Sequence, residues 1–253
     1  MLQRFHLKQK VALVTGASRG IGEAIARLLA EAGAHVVVAS RKPEACAAVA
    51  ADIRAQGGKA TAIAAHMGDP EAIGRLVDGT VAACGGLDIV VNNAATNPVF
   101  GPLLDCDAGA FQKIYDVNVR GPLLLCQRAL PHLLQRGGGA LVHIASIGGI
   151  SPEPGLGVYS SSKAALISLS KAMALEWGAG GVRSNVICPG LTKTRFAQAI
   201  WQDEHMAQEA VGTQPIARVA EPDEIAGMAL FLASPASSYC TGGVYPVDGG
   251  HNA

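Results

Sequence analysis

Tyr159 and Lys163 are the residues of this sequence whose spacing points most directly to acid–base chemistry. They lie four positions apart in a helical pattern, which places both side chains on one face, about one turn from each other. A phenol with an unperturbed pKa near 10 is a poor acid or base at neutral pH, whereas a neighbouring ammonium group favours the phenolate. Lowering this pKa by about 2–3 units takes roughly 3–4 kcal/mol of differential stabilisation. Because the same spacing occurs by chance in many helices, the prediction depends on the residues around the pair.

Other polar residues stand where apolar runs end or are interrupted. Ser146 directly follows an apolar run, Asn92 closes an earlier one, and Asn118 lies in an otherwise apolar helical segment. In open α/β sheets, ligands bind at the carboxyl edge, where residues that follow different strands meet. Taken singly, Ser146 could equally cap the local backbone, and Asn118 could equally form a structural hydrogen bond.

A glycine-rich turn leads from the first apolar run into a helix, with the sequence T-G-A-S-R-G-I-G at positions 15–22. Glycines let the backbone approach a pyrophosphate, and the helix N-terminus supplies N–H groups and a positive dipole end. The spacing of Gly16, Gly20 and Gly22 differs from the commoner G-x-G-x-x-G. Two other interpretations stay open: a G-x-S-x-G nucleophile elbow, and glycines that serve only tight packing. The position after the first strand favours dinucleotide binding, and the lack of Lys-Ser or Lys-Thr after Gly20 excludes a Walker A loop.

The end of the second apolar run indicates which dinucleotide is preferred. It reads Ser40-Arg41-Lys42, and the nearest acid, Glu44, follows Pro43 in the first turn of the next helix. An acid at the strand end would bind the ribose hydroxyls of NAD, whereas a guanidinium can hold a 2′-phosphate bidentately. A solvated basic turn is the alternative. We therefore expect NADP(H) to be favoured over NAD(H).

Strand-like and helix-like segments alternate along the whole chain. Continuous apolar runs fit strands buried on both faces of a parallel sheet, with amphipathic helices between them. The pattern predicts an α/β fold with a doubly wound, parallel, seven-stranded sheet of the Rossmann type. No linker interrupts residues 1–253, so we expect a single domain. The predicted strands are 11–15, 35–39, 60–64, 87–91, 140–145, 182–188 and 244–247. The predicted helices are 21–31, 43–56, 70–84, 111–119, 122–135, 160–177 and 222–232.

The composition of the 253 residues excludes several classes of protein. Twenty basic and twenty acidic residues give a net charge of 0, so no basic field exists to hold nucleic acid. No apolar run reaches the ~20 residues of a membrane helix, and the N-terminus has no signal-peptide pattern. Six scattered cysteines and seven scattered histidines indicate a reduced, cytoplasmic protein without a structural metal. Charged residues reach only 16%, against about 25% in an ordinary domain, which suggests buried subunit interfaces.

The order and separation of these motifs resemble the short-chain dehydrogenase/reductase family over essentially the whole chain. The matching segments are T-G-x-x-x-G-x-G at 15–22, N-N-A at 92–94, Asn118, Ser146, Y-x-x-x-K at 159–163, Pro189-Gly190 and Val247-Asp248-Gly249-Gly250. The resemblance implies a nicotinamide cofactor and an oxidoreductase that transfers a hydride between this cofactor and a carbonyl compound or an alcohol.

The resemblance also implies a role for each matching residue. Tyr159 would be the general acid in reduction, and Ser146 would hydrogen-bond the carbonyl oxygen. Lys163 would hold the nicotinamide ribose and lower the pKa of Tyr159, while Asn118 would keep a water in the proton relay. The residues expected to contact the cofactor are Gly16, Ser18, Arg19, Gly20, Ile21, Gly22, Ser40, Arg41, Lys42, His66, Met67, Asn92, Ala94, Tyr159, Lys163, Pro189, Gly190, Thr192 and Thr194.

The chain departs from the family pattern at two places. Ala95 stands where the family usually has the glycine of N-N-A-G, so a methyl group replaces a hydrogen beside the path of the cofactor. His66-Met67 stands where many members have an Asp that bonds the adenine amino group. His66 would then stack on or hydrogen-bond the base, or be an ordinary polar residue at a strand end.

Further details are similar to animal NADPH-dependent carbonyl and dicarbonyl reductases of the peroxisomal retinol-reductase type, among them H-V-V-V-A-S-R-K at 35–42. The final residues do not form an S-K-L-type signal, so peroxisomal targeting is not expected. The expected function is an NADP(H)-dependent carbonyl reductase or alcohol dehydrogenase that acts on an apolar small molecule. A 3-oxoacyl-[acyl-carrier-protein] reductase-like enzyme and a non-catalytic dinucleotide-binding scaffold are the alternatives.

Two further expectations concern a lid and an assembly. Segment 191–216, with Phe196, Ile200, Trp201 and Met206, would form a mobile lid that favours apolar substrates, unless these residues only pack the lid itself. The helices at 111–119 and 122–135 carry more apolar residues than one sheet face needs, which suggests a four-helix contact between copies. The resemblance implies a homotetramer whose second interface uses residues 244–247. The apolar residues in question are Ile114, Val117, Leu123, Leu124, Leu125, Leu130, Leu133 and Leu134.

Overall fold

A single parallel sheet of seven strands, in the order β3-β2-β1-β4-β5-β6-β7, organises the computed structural model, which describes residues 2–253. This order confirms the predicted doubly wound architecture. The chain runs outward from β1 to β3, returns, and continues from β4 to β7, so the direction reverses between β1 and β4. Ligands bind at such a reversal, outside the carboxyl ends of the strands. The strands are β1 Val11–Thr15, β2 His35–Ser40, β3 Lys59–Ala64, β4 Ile89–Asn92, β5 Gly139–Ile144, β6 Val182–Pro189 and β7 Val244–Val247.

Helices cover both faces of the sheet. Because side chains alternate along a strand, Ala12 and Val14 face one layer, built mainly from α1, α2 and α9. Val11 and Leu13 face the other layer, built mainly from α3 and α5. The helices are α1 Gly20–Glu31, α2 Pro43–Ala55, α3 Pro70–Cys84, α4 Ala108–Tyr115, α5 Gly121–Gln135, α6 Gly157–Trp177, α7 Gln198–Trp201, α8 Glu204–Val211 and α9 Pro222–Ala233. Within residues 2–253, none of these helices is long and apolar enough to span a membrane.

The predicted helix at 111–119 differs from the observed structure at both ends. Helix α4 begins earlier, at Ala108, because the Asp107 side chain accepts a hydrogen bond from the Ala110 amide (2.9 Å). The α-helix ends at Tyr115 and continues as a π-helical turn over Asp116–Arg120, which we call the π-turn. Pro122 has no N–H group, so the carbonyl of Asn118 lacks its α-helical donor. Such turns occur mostly as single interruptions of α-helices and often lie at functional sites.

Several apolar residues predicted to lie between subunits are instead part of the protomer's own core. Ile114, Leu125 and Leu133 are fully buried, and Val117 is nearly so. Val117, Leu125 and Leu133 belong to the cluster that packs between the sheet and helices α3 and α5. Leu134 remains largely exposed, while Leu123, Leu124 and Leu130 are partly buried.

The segment after β6 forms a loop with two short helices, α7 and α8, whose base is fixed by main-chain hydrogen bonds. The Lys193 amide donates to the Ala220 carbonyl (2.9 Å), and the Ala220 amide donates to the Leu191 carbonyl (3.0 Å). Near the other end, the Ile216 amide donates to the Gly249 carbonyl (2.9 Å). The segment is therefore anchored at both ends, while its middle lies over the carboxyl edge of the sheet.

Candidate active site

The loop after β1 requires glycine at three positions. Gly16 and Gly20 have φ values of +65° and +58°, a region that side chains rarely adopt. A Cβ atom at Gly22 would overlap the Gly16 carbonyl oxygen and the Asn93 side-chain amide. The backbone path of residues 16–22 therefore depends on having no side chains at these three glycine positions.

The N-terminus of α1 has no side-chain cap. Arg19 at the cap position is extended and forms no capping hydrogen bond, and its side chain is exposed. Ser18 and Ile21 lie half-buried on either side of this position. Uncapped first-turn N–H groups and the positive dipole end favour an anion. This arrangement fits the pyrophosphate of a dinucleotide.

Asn93 and Thr15 support the glycine loop, and the sequence analysis did not include them among the site residues. The Asn93 side-chain amide donates to the carbonyl oxygens of Thr15 (2.9 Å) and Gly16 (3.2 Å). The Thr15 hydroxyl accepts hydrogen bonds from the amides of Asn93 and Ala94, both at 3.1 Å. Ala94 thus lies directly beside the glycine loop. Thr15 and Asn93 belong to the T-G and N-N-A motifs, so the sequence did contain a signal for both residues. Their contact arises only when β1 and β4 pair.

The side chain of Asn92 bonds within the interior and not to the glycine loop, and its predicted contact with the cofactor stays a prediction. This side chain is buried and donates to Cys126 Sγ (3.2 Å) and toward His143 Nδ1 (3.3 Å). His143 Nε2 lies 3.2 Å from the Ser184 hydroxyl. Because strand residues alternate between faces, Asn92 and Asn93 point in opposite directions, and only Asn93 reaches the glycine loop.

The end of β2 presents two exposed cations next to the glycine loop. Arg41 and Lys42 form no ion pair with any acid within residues 2–253. The preceding Ser40 is half-buried, and its hydroxyl lies 3.0 Å from the thiol of Cys46. This strand end therefore offers unpaired positive charge and no carboxylate.

The loop after β3 carries His66 and Met67. The Gly68 amide donates to His66 Nδ1 (3.0 Å), which fixes the orientation of the exposed imidazole. Met67 is buried in the layer that α3 and α5 form on one face of the sheet. In the sheet order, this loop lies beyond β2, on the side of the glycine loop away from β4.

Ser146, Tyr159 and Lys163 come together at the carboxyl edge of β5. Ser146 follows β5, and its hydroxyl accepts a hydrogen bond from the Gly148 amide (3.1 Å). Helix α6 begins at Gly157, so Tyr159 lies in its first turn and Lys163 one turn later. Lys163 Nζ lies 5.5 Å from the centre of the Tyr159 ring and donates to the Ile144 carbonyl (2.8 Å). Both side chains are buried.

Burial dominates the proton affinities of this pair. It raises the pKa of the Tyr159 phenol, although hydrogen bonding to Ser146 opposes the rise. It lowers the pKa of Lys163 to about 8. Desolvation is the largest influence on the pKa of Tyr159, and the role predicted for Lys163, which is to lower this pKa, stays a prediction.

Asn118 lies in the π-turn and joins two segments of the site. Its Oδ1 accepts a hydrogen bond from the Thr96 amide (2.8 Å), and its Nδ2 donates to the Thr96 carbonyl (3.0 Å). The same Nδ2 donates to the Ser162 hydroxyl (3.1 Å), which in turn donates to the Tyr159 carbonyl (2.6 Å). Asn118 thereby fixes helix α6 at the turn that carries Tyr159.

The segment after β6 lies against the glycine loop and borders the site. Pro189 ends β6, and the Gly190 amide donates to the Val247 carbonyl (3.0 Å). Thr192 is buried. A Cβ atom at Gly20 would lie 3.2 Å from the Thr194 methyl group, so this segment lies against the glycine loop.

Phe196, two residues after Thr194, lies against the tyrosine. The ring centres of Phe196 and Tyr159 are 5.6 Å apart at an angle of 38°, and Phe196 is about half exposed. This contact brings the segment after β6 next to Tyr159, and the lid role predicted for residues 191–216 stays a prediction.

Comparison with known proteins relates this arrangement to a family. A family profile described as "Enoyl-(Acyl carrier protein) reductase" matches residues 16–252. Human dehydrogenase/reductase SDR family member 4 is 42% identical over 250 residues, covering 99% of this chain and 90% of that protein. The Bos taurus protein of the same name is 43% identical with the same coverage.

Solved structures agree with this relationship. A 7α-hydroxysteroid dehydrogenase complexed with NADH and 7-oxo glycochenodeoxycholic acid has a TM-score of 0.94 and 34% identity, with 98% of this chain and 96% of that chain covered. A gluconate 5-dehydrogenase from Burkholderia cenocepacia in complex with NADP and tartrate has a TM-score of 0.95 and 32% identity, covering 99% and 98%. With the profile match, the relatives and the shared fold, the chain belongs to the short-chain dehydrogenase/reductase family of oxidoreductases.

Proposed function

We propose that the protein is an NADP(H)-dependent carbonyl reductase or alcohol dehydrogenase that interconverts an apolar ketone or aldehyde with the corresponding alcohol. The observation that carries this proposal is the placement of Tyr159, Lys163 and Ser146 at one edge of the sheet. The same edge carries the glycine loop and the N-terminus of α1, which has no side-chain cap. A nicotinamide dinucleotide, when bound, supplies or accepts the hydride. The chain's own residues then have to bind the carbonyl oxygen and transfer a proton.

The positions of the proposed catalytic residues support the following roles. Tyr159 donates a proton to the carbonyl oxygen in reduction and accepts it in oxidation, and Ser146 hydrogen-bonds the same oxygen. Lys163, with its pKa near 8, provides a positive charge that stabilises the phenolate left after proton transfer. Asn118 holds α6 in register with the loop at Thr96 and belongs to the proton relay.

The cofactor contacts that we propose lie along the carboxyl edge of the sheet. The glycine loop and α1 hold the pyrophosphate, while Ala94, Tyr159 and Lys163 contact the nicotinamide half. Arg41 and Lys42, which lack acidic partners among the described residues, would bind a 2′-phosphate and so favour NADP(H). Other proposed contacts are Ser18, Arg19, Ile21, Ser40, His66, Met67, Pro189, Gly190, Thr192 and Thr194.

Apolar groups near Tyr159 support an apolar substrate. Phe196 lies against the tyrosine ring. Phe100 packs over Gly155 and Leu103 over Gly157, close to Tyr159 in the chain, and both side chains are more than half exposed. The related structures bind a bile acid in one case and tartrate in the other, so the relatives alone do not choose between apolar and polyol substrates. The exposed apolar side chains near Tyr159 favour an apolar substrate.

The lid, assembly and compartment belong to the same proposal. We propose that residues 191–216 act as a lid over the nicotinamide, a role supported by the contact of Phe196 with Tyr159. The six cysteines are all free thiols, which supports a reducing compartment, and we propose the cytoplasm. The low content of charged residues supports a homotetramer.

An activity screen tests the proposed function. Purified protein is assayed with NADPH and with NADH against aryl and alkyl ketones, aldehydes, gluconate-type polyols and an acetoacetyl thioester. We expect NADPH-dependent reduction of the apolar ketones and little turnover of the polyols. Preference for the thioester would support the acyl-carrier-protein reductase alternative. Cofactor binding without turnover of any substrate would support the scaffold alternative.

A further inference from the structure

The π-turn lies between the loop after β3 and the helix that carries Tyr159. On one side, Arg120 Nη2 donates to the Gly68 carbonyl (3.2 Å). Gly121, which follows the π-turn, is in such close contact with the Met67 carbonyl that a Cβ atom there would overlap it. On the other side, Asn118 donates to Ser162 of α6 (3.1 Å). One turn of helix therefore contacts two segments on opposite sides of it.

Arg120 is itself held in place. It forms an ion pair with Asp116 one turn earlier (3.2 Å), and the Gln112 side-chain amide donates to the same carboxylate oxygen (2.8 Å). Nη2 of the guanidinium carries two N–H groups in a fixed plane, so this one nitrogen lies against Asp116 and also donates to the Gly68 carbonyl. The contact with Gly68 thus comes from an oriented side chain.

Gly68, whose carbonyl binds Arg120, also contacts His66 through its amide. Its amide donates to His66 Nδ1 (3.0 Å), so in this state Nδ1 is an acceptor and the ring proton lies on Nε2. A Cβ atom at Gly68 would lie 2.9 Å from the imidazole and 3.3 Å from the Val117 side chain, so the glycine fits between the loop and the helix. The imidazole lines an open cleft of about 290 Å³ beside α4.

The sheet order shows which half of a dinucleotide would meet this loop. The glycine loop follows β1, Tyr159 and Ser146 lie on the β4–β5 side, and β2 and β3 lie on the opposite side. A dinucleotide with its pyrophosphate at the glycine loop and its nicotinamide near Tyr159 must extend its adenosine half over β2 and β3. The loop at His66–Gly68 then borders the adenosine half.

We propose that Arg120 and Gly121 are positioning residues for the adenosine half of the cofactor. They act through Gly68 and Met67, and the π-turn is the common support for this half of the site and for Asn118. The proposal rests on the proposed cofactor and deepens it, because it assigns a role in adenosine binding to residues that need not contact the cofactor.

The first test replaces the guanidinium. We expect Arg120→Met to raise the Kd of NADPH and of adenosine 2′,5′-bisphosphate about fivefold, less than for the loss of a direct charge-assisted hydrogen bond because Arg120 acts through Gly68. The KM of the carbonyl substrate should stay within about twofold. Arg120→Lys, which keeps one donor for Gly68, should restore most of the binding. Arg75→Met is the matched control, because Arg75 is also exposed and paired with an acid one turn earlier, at Glu71 (3.5 Å).

The second test moves the turn itself. In Gly121→Ala the added methyl group must displace the Met67 carbonyl or the start of α5, so both the Kd of adenosine 2′,5′-bisphosphate and kcat at saturating NADPH should worsen, each about tenfold or more. A merely structural role would reduce the folded fraction and leave the Kd of the folded protein unchanged.

The outcomes separate this inference from the proposed function. If the wild-type protein binds NADPH and the bisphosphate, but Arg120→Met binds them as tightly as Arg75→Met does, the positioning role is overturned. If the wild-type protein binds neither ligand, the proposed cofactor is wrong and this inference falls with it. Should Gly121→Ala fail to fold, the Arg120 variants decide the question alone.

Discussion

Asn93 donates two hydrogen bonds to Thr15, one from its main chain and one from its side chain. The Asn93 side-chain amide donates to the Thr15 carbonyl (2.9 Å), and the Thr15 hydroxyl accepts the Asn93 main-chain amide (3.1 Å). Together with the bond from Asn93 to the Gly16 carbonyl (3.2 Å), they attach the glycine loop to the end of β4. The place where the chain direction reverses in the sheet is therefore fixed by side chains as well as by strand pairing.

Replacing Asn93 tests this support. Asn93→Ala removes both side-chain bonds to the loop, and we expect it to lower the free energy of unfolding by about 1–3 kcal/mol and to weaken NADPH binding about tenfold. Urea unfolding and fluorescence titration measure the two effects. Asn252→Ala, which removes a bond to Asp248 near the C-terminus, is the control. Unchanged NADPH affinity in Asn93→Ala would show that the loop keeps its shape without this side chain.

The sequence was sufficient for those parts of the site that depend on local spacing. The turn at 15–22 and the pair Tyr159 and Lys163 each lie within a few residues, so their geometry follows from one turn and one helix. The strands agree with prediction to within one or two residues at most ends, because continuous apolar runs mark strands buried on both faces.

Features that depend on tertiary contacts were not predictable in the same way. Two adjacent asparagines, Asn92 and Asn93, point to opposite faces of β4, and the sequence does not show which one reaches the glycine loop. The direction of the pKa shift of Tyr159 depends on how deeply α6 buries the ring. The π-turn did have a local signal, since Gly121 and Pro122 stand three and four residues after Asn118, but the apolar spacing of this stretch predicted two ordinary helices.

Arg41 tests the preference for NADP(H). Arg41→Ala should weaken NADPH binding by roughly 1–3 kcal/mol, the range for loss of a charge-assisted pair, and should change NADH binding little. Titrations with both cofactors measure the difference, and Arg75→Ala controls for the loss of one surface charge. An equal loss for the two cofactors would contradict a contact between Arg41 and the 2′-phosphate.

Tyr159→Phe tests the proton donor. The substitution keeps the ring that packs against Phe196 and removes only the hydroxyl, so we expect turnover to fall by at least ~10²–10⁴ while NADPH binding survives. Steady-state kinetics and a binding titration on the same preparation separate these effects. Near-normal turnover would mean that another residue supplies the proton.

His143 should make stability depend on pH between about 3 and 6.5. Burial, assisted by the charge of Lys163, lowers the pKa of His143 to about 3, whereas an unfolded histidine has a pKa near 6.5. In this window the unfolded chain binds a proton that the folded chain does not, so the free energy of unfolding falls as the pH falls below 6.5, by up to about 1.4 kcal/mol per pH unit.

His143→Asn removes this titrating group and leaves a side chain that can hydrogen-bond Asn92. Urea unfolding at pH 4.5, 5.5, 6.5 and 7.5 should show that the wild-type protein loses more stability than the variant as the pH falls, with parallel behaviour above pH 7. A difference between the two proteins that stays constant from pH 7.5 to 4.5 would contradict the assignment of a buried, neutral His143.

The assembly of the protein is the last prediction. Charged residues make up only 16% of the chain, yet Phe111 and Leu134 on the α4 and α5 side, and Leu175 and Tyr239 elsewhere, remain exposed. Water-exposed apolar side chains in such number are typical of surfaces that pair with another copy. Sedimentation at micromolar concentration should therefore give a mass near four times 25.8 kDa.

Leu134→Lys places a charge in the proposed contact and should yield smaller species, whereas Leu104→Lys, on the loop before α4, serves as a control. A stable, active species of 25.8 kDa would contradict the tetramer, and the low charge content would then need another explanation.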